Sequence, residues 1–175
     1  MRPPDHVVVM GVSGCGKTTV ARAYAEKCGL EIIDADDLHP VENVWKMASG
    51  IPLCDEDRLP WLRAVRDWMN VHSGSGVGTV VACSALRRSY RRILLEARGT
   101  LCFVHLTADP ALTRTRIECR KGHFMSPSLL DSQLEILEPL MPGEVGFTVD
   151  NSGSLDEVVA TICCATGRSP ACRRR

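Results

Sequence analysis

The sequence predicts an α/β protein: a single domain built on a parallel five-stranded sheet covered by helices on both faces. Three observations carry this. Five short apolar runs, rich in β-branched and aromatic residues, are bounded by Gly, Pro or polar clusters. Between them lie stretches with helical spacing. The runs are continuously apolar rather than alternating, which suits strands buried on both faces of a parallel sheet.

In chain order, "HVVVM" (6–10) is the first strand, and a Gly-rich loop and the helix "TVARAYAEKC" follow it. "LEIID" (30–34) is the second strand, with a helix expected to begin near Pro40. A further helix places Leu62, Val65, Arg66 and Met69 on one face. "SGSGVG" (73–78) is a turn into the third strand, "TVVACS" (79–84), since no helix opens after it. "LCFVHL" (101–106) and "VGFTVD" (145–150) complete the strands, and Leu155, Val158, Val159 and Ile162 mark the inner face of the last helix. The whole of 1–175 reads as one domain, with a lid at about 114–127 and a frayed tail at 168–175.

Composition excludes several classes. Lys plus Arg equals Asp plus Glu at 21 each, so no net field calls for nucleic acid. Four of the basic residues are Lys and 17 are Arg, a skew toward the side chain that grips phosphate and carboxylate with two parallel hydrogen bonds. The nine cysteines are odd in number and form no CxxC pair, which fits neither a zinc site nor a disulfide framework. With no leader pattern and no apolar run near 18 residues, a cytoplasmic, reduced protein with no membrane partner is expected.

The strongest motif is "GVSGCGKT", Gly11, Val12, Ser13, Gly14, Cys15, Gly16, Lys17 and Thr18, with Thr19 beginning the helix behind it. It matches GxxxxGK[ST] in the strand–loop–helix setting that the motif requires. Glycines let backbone N–H groups turn inward around phosphate oxygens, the helix N-terminus adds positive potential, Lys17 reaches the β and γ phosphates, and the Thr18 hydroxyl can ligate Mg²⁺. A nucleoside triphosphate is the expected ligand. A switch GTPase is excluded, because the third strand runs into "CSALRRSY" rather than DxxG and no NKxD follows.

"DADDLHP" (34–40) leaves the second strand at the end that faces the ligand crevice of an open parallel sheet. Asp36 is read as the base that takes a proton from an acceptor hydroxyl, and Asp34 as a Mg²⁺ ligand through water. One of Asp36 and Asp37 is expected to cap the helix beginning near Pro40. His39, Asn43 and Lys46 share a face in a helical continuation, which suits either a polyol acid or plain solvation. Arg58 is a candidate for an acceptor carboxylate, beside Asp55, Glu56 and Asp57, which read as solvated or capping. Ser84, Arg87 and Arg88 follow the third strand toward the crevice. Arg114, Arg116, Arg120 and Lys121 put four cations into eight positions before "KGHFMSP", the pattern of a basic lid or of an exposed basic helix. His123 in that segment is counted with the acceptor-binding residues, though a structural role suits a lone histidine as well.

"GVSGCGKTTVA", "DADDLHPVENVWKMASGIPLCDEDRLPWL", "VVACSALRRSYR", "FVHL" and "HFMSPSLLDSQLEILEP" together resemble the gluconokinases of the shikimate-kinase-like P-loop kinases, collinearly over about residues 7–165. The resemblance implies a three-layer fold with strand order 2-3-1-4-5, and ATP-dependent phosphorylation of D-gluconate at O6 to 6-phosphogluconate, which feeds the pentose phosphate pathway. It further implies Mg²⁺, a homodimer, Arg116 near the adenine and Arg120, with Lys17 and Asp36, as a catalytic residue at the phosphates. Cys15 stands where many members have Ser, and Arg87 where Lys is common; neither change removes a required group. A kinase of this fold acting on shikimate or another sugar acid, or a nucleotide-binding module without activity, are the rival readings.

Overall fold

The structure is a computed structural model that describes residues 2–73, 77–118 and 127–168. Strands β1 (His6–Met10), β2 (Glu31–Asp34), β3 (Thr79–Ala82), β4 (Leu101–Thr107) and β5 (Gly146–Asp150) form one sheet in the order β2-β3-β1-β4-β5, with all neighbours parallel. The helices are α1 (Lys17–Cys28), α2 (Val41–Ala48), α3 (Asp55–His72), α4 (Arg88–Leu94), α5 (Pro110–Glu118), α6 (Pro127–Ile136) and α7 (Leu155–Ala165). Each expected strand is present. β3 stops at Ala82, which leaves Cys83 and Ser84 beyond the sheet, at the mouth of the crevice.

β1 is the centre, and every one of its residues is buried. Its side chains alternate between two cores. Val7 and Val9 pack with Val20, Ala21 and Tyr24 of α1 and Val158, Val159 and Ile162 of α7. Val8 and Met10 pack with Trp61, Leu62, Val65 and Met69 of α3 and with Tyr90 and Leu94 of α4. The chain therefore leaves β1 toward one face and β3 toward the other. Loops that diverge in this way open a crevice at the carboxyl ends of the two neighbouring strands.

Three local expectations are corrected. Arg66 lies at the edge of the buried face of α3, where Asp67 and Glu96 hold it at 2.9 and 2.7 Å. Leu155, the first residue of α7, is 40% exposed while Val158, Val159 and Ile162 are buried. Neither Asp36 nor Asp37 caps α2, whose N-cap is Pro40 with no side-chain bond. Asp34 caps instead, on the 3-10 turn Ala35–Leu38, where its carboxylate accepts from the Asp36 N–H. The reason is spacing, because the 3-10 turn consumes the residues that would otherwise lead directly into α2.

Behind β3, the fully buried Arg91 ties segments together. Its Nε and Nη2 donate to both carboxylate oxygens of Glu144 at 2.7 and 2.9 Å, and Nη1 donates to the carbonyls of Ala85, Leu86 and Glu138. The guanidinium holds the Glu144 carboxyl at about 2, well below its usual range. Removing one partner would leave the other charge buried and unmatched. Arg91→Leu is expected to lower stability by about 3–5 kcal/mol, and Arg91→Leu with Glu144→Leu to recover part of that loss. Urea denaturation of the two variants checks this.

Candidate active site

The loop between β1 and α1 curls over the end of the sheet. Gly11, at φ 141°, passes so close to β4 that a Cβ there would lie 2.6 Å from the Leu106 carbonyl oxygen and 2.9 Å from Cys15 Sγ. Gly16 takes the left-handed conformation, φ 99°, that turns the loop into α1. Two side chains from far along the chain clasp the loop. Gln133 of α6 accepts from the Ser13 N–H at 2.7 Å, and Asn151, just past β5, donates to the Cys15 carbonyl at 2.7 Å. The Gly11 N–H reaches the Ser84 carbonyl at 3.3 Å. Lys17 folds back onto its own loop, donating to the Val12 carbonyl at 3.0 Å. The Cys15 side chain is fully buried under Gly11, so it is the backbone of Cys15 that the loop uses.

Thr18 and Asp34 meet across the crevice. The Thr18 hydroxyl donates to Asp34 Oδ2 at 2.6 Å, while Asp34 Oδ1 accepts from the Asp36 N–H at 3.1 Å. A hydroxyl in the first turn of α1 and a carboxylate at the carboxyl end of β2 are the hard oxygen donors that Mg²⁺ takes alongside phosphates and water. The residues present fit that ion.

Beside the loop lies a cleft of about 480 Å³ lined by Ser13, Lys17, Asp36, His39, Arg58, Ser84 and Gln133, with Met47, Pro52 and Leu53 as its apolar wall. The expected Lys17, Asp36, His39, Arg58 and Ser84 thus converge. Arg58, in the first turns of α3, is buried; its Nε donates to the Leu53 carbonyl at 3.3 Å and its guanidinium stands 5.7 Å over the Tyr90 ring. Among the described residues no carboxylate lies within 4 Å of it in an ion pair. Ala85, next to Ser84, has φ 41°, a strained value for a residue with a Cβ.

Two expected acceptor residues stand outside that lining. Lys46 is held by Asp57 at 2.7 Å, and Arg87 by both oxygens of Asp55 at 3.0 and 2.8 Å. Asp55 also accepts from the Tyr90 hydroxyl. Arg88 is exposed at the start of α4. Arg120, Lys121 and His123, most of the expected lid and nearly all of the tail lie outside the described residues.

On the other side of the loop, Gly14, Gly16, Thr19, Val20, Arg116, Asn151, Gly153 and Leu155 line a second, wider cleft of about 870 Å³. Arg116 of α5 lines this second cleft with Gly14 and Gly16, whereas Ser13 and Lys17 line the first, so the loop contributes to two compartments.

The resemblance to known proteins is extensive. Residues 13–163 match the family model described as shikimate kinase. A probable gluconokinase of Mus musculus is 41% identical, with 93% of this chain and 97% of the relative covered. The gluconokinase of Gluconobacter oxydans (strain 621H) is 47% identical, covering 81% and 78%. The crystal structure of a gluconokinase from Sinorhizobium meliloti 1021 superposes with a TM-score of 0.83 at 45% identity, over 96% of this chain and 94% of the other. The chain belongs to the gluconokinase family. Within that family frame, Gln133 and Asn151 are the site residues that motif reading leaves unassigned. Gln133 was visible only as the last letter of "LLDSQ", and Asn151 only as a polar residue after a strand.

His39 is a strongly perturbed group of the cleft. Its side chain is 4% exposed and stacks on Trp61 at 4.2 Å. Burial, reinforced by the Arg58 charge and opposed by Asp34, lowers its pKa to about 4. The folded state therefore resists a proton that the unfolded chain binds near 6.5. This contribution is complete above 6.5 and is lost as pH falls toward 4. Between pH 7 and pH 5 it amounts to roughly 2 kcal/mol. His105, shifted in the same direction by burial and Arg91, adds to the slope. His39→Gln is expected to flatten, though not abolish, the loss of urea stability between pH 7 and pH 5.

Proposed function

We propose that this protein transfers the γ-phosphoryl group of ATP to the O6 hydroxyl of D-gluconate, giving 6-phosphogluconate. The observation that carries the reading is one cleft at the carboxyl ends of the central strands that joins the loop lysine Lys17, the carboxylate Asp36 and the buried Arg58. Phosphoryl transfer asks the protein mainly for positioning and for charge placed where charge develops.

Each group then has a task. The amides of residues 11–19 cradle the phosphates, and Lys17 leaves the Val12 carbonyl to balance charge on the γ-phosphoryl oxygens. Asp36 orients the acceptor hydroxyl and takes its proton as the oxygen attacks phosphorus. Arg58, anchored on Leu53 and Tyr90, receives the gluconate carboxylate, while His39 and Ser84 face the hydroxyls. Thr18 directly and Asp34 through water would hold Mg²⁺, which would supply positive charge against the phosphates. Arg116 borders the compartment for the adenine. Lys46 and Arg87 act from the rim, where release from Asp57 and Asp55 would free them for the acid. Arg120 and His123 are assigned to the transferring phosphoryl group and to the acceptor. Among the described residues no helix is long and apolar enough to cross a membrane; a cytoplasmic homodimer completes the proposal.

ADP release with Mg-ATP should depend on D-gluconate and not on shikimate or other sugar acids. Release with another acid would move the substrate, and ATP binding without acceptor-dependent release would remove the activity. Asp36→Asn is expected to lower kcat by about 10²–10⁴ with little change in the KM for ATP. Arg58→Leu should raise the KM for gluconate at least tenfold, the size of one lost charge-assisted hydrogen bond.

A further inference from the structure

One polar pair in the acceptor cleft has a fixed direction. Asn43, 4% exposed on the inner face of α2, places its Nδ2 2.8 Å from the Asp57 carbonyl oxygen and 3.3 Å from His39 Nδ1. A backbone carbonyl only accepts, so the atom facing it is the amide nitrogen, and this fixes which way the Asn43 amide points. The second amide hydrogen then faces His39 Nδ1. A neutral imidazole carries one N–H, and here Nδ1 is the acceptor, so the proton sits on Nε2. His39 is neutral at pH 7, since burial holds its pKa near 4.

Nε2 faces into the cleft, 4.0 Å from Asp36 Oδ1. That separation is too long for a direct hydrogen bond, but it suits one oxygen held between the two. An oxygen about 2.8 Å from each would subtend roughly 90°, close to the angle at which a hydroxyl accepts one hydrogen bond and donates another. Stacking on Trp61 prevents the ring from turning away.

The geometry points to Asn43 as a positioning residue that locks His39 as an Nε2–H donor, so that His39 and Asp36 Oδ1 together select a hydroxyl of the acceptor, other than the O6 that Asp36 deprotonates, by giving it one hydrogen bond and taking another. This rests on the reading of the cleft as the sugar-acid site and extends it. A single group must both accept and donate at this point. A hydroxyl does both, whereas a carboxylate would meet Asp36 with like charge and a methylene would satisfy neither side. The pair is a selectivity device that responds to the tautomer of one ring.

The test has a spectroscopic arm and a kinetic arm. In the substrate-free wild-type protein at pH 7, a long-range ¹⁵N–¹H correlation spectrum, with the His39 signals assigned from their loss in His39→Gln, should show the Nε2–H tautomer. The Nδ1–H tautomer would overturn the proposal whatever the enzyme's substrate. Asn43→Asp, whose carboxylate would draw the proton to Nδ1, should reverse the tautomer and lower kcat/KM for gluconate about tenfold. In His39→Gln, whose side-chain amide supplies a donor without a tautomer, the further change Asn43→Asp should have less than about a twofold effect. An undiminished effect there would make Asn43 merely structural. His39→Ala should lower kcat/KM at least tenfold with gluconate, but not with the one deoxy-gluconate that lacks the held hydroxyl. Equal losses with every deoxy analogue would exclude the hydroxyl contact. If Asn43→Asp does not fold, the wild-type spectrum and the analogue series still decide.

Discussion

The close approach of the phosphate-binding loop to the central strands is the constraint on which the rest of the site depends. Gly11 can pass β4 only because it has no side chain, and its N–H is received by the Ser84 carbonyl just past β3. Parallel pairing of β1 with both β3 and β4 sets the height of these contacts. Burying β1 on both faces therefore does more than stabilise the fold. It fixes the plane from which Lys17, Thr18, Asp34 and Ser84 project, and chemistry that relies on positioning tolerates little play in that plane.

Electrostatically, the acceptor cleft keeps its charges apart by assigning each a different support. Arg58 is buried yet held by a carbonyl and an aromatic face, and among the described residues no carboxylate forms an ion pair with it. Lys46 and Arg87, nearer to solvent, are each matched by an acid of α3. His39, close enough to Arg58 and Asp34 to feel both, is held without charge by its burial. A neutral ring beside a guanidinium and a carboxylate contributes direction without adding to repulsion. This division fits an acceptor that has one acid group and several hydroxyls.

Much of this was legible in the sequence, for reasons that differ between elements. The strands were readable because continuous burial leaves continuous apolar runs, and the loop because its backbone geometry demands particular residues at fixed offsets. Strand order was not contained in those runs; it came with the family resemblance. The fates of Lys46 and Arg87 were hidden because their partners lie 11 and 32 residues away, and no local period encodes such pairings. Asp55 and Asp57 read as solvated or capping, and Asp57 does close a capping box with Cys54, while it also serves as the partner of Lys46. Asp34 was assigned to the metal alone, yet one of its oxygens also builds the turn that presents Asp36.

The clasp on the loop has a consequence for how the molecule comes into being. Ser13 and Cys15 are synthesised early, but the side chains that hold them, Gln133 and Asn151, lie 120 and 136 residues downstream. A nascent chain thus displays the signature of nucleotide binding long before it can form the pocket. Because the clasp closes only when α6 and the end of β5 have docked, the pocket is a property of the finished fold, and a bound nucleotide would stabilise the chain from near its first strand to the start of its last helix.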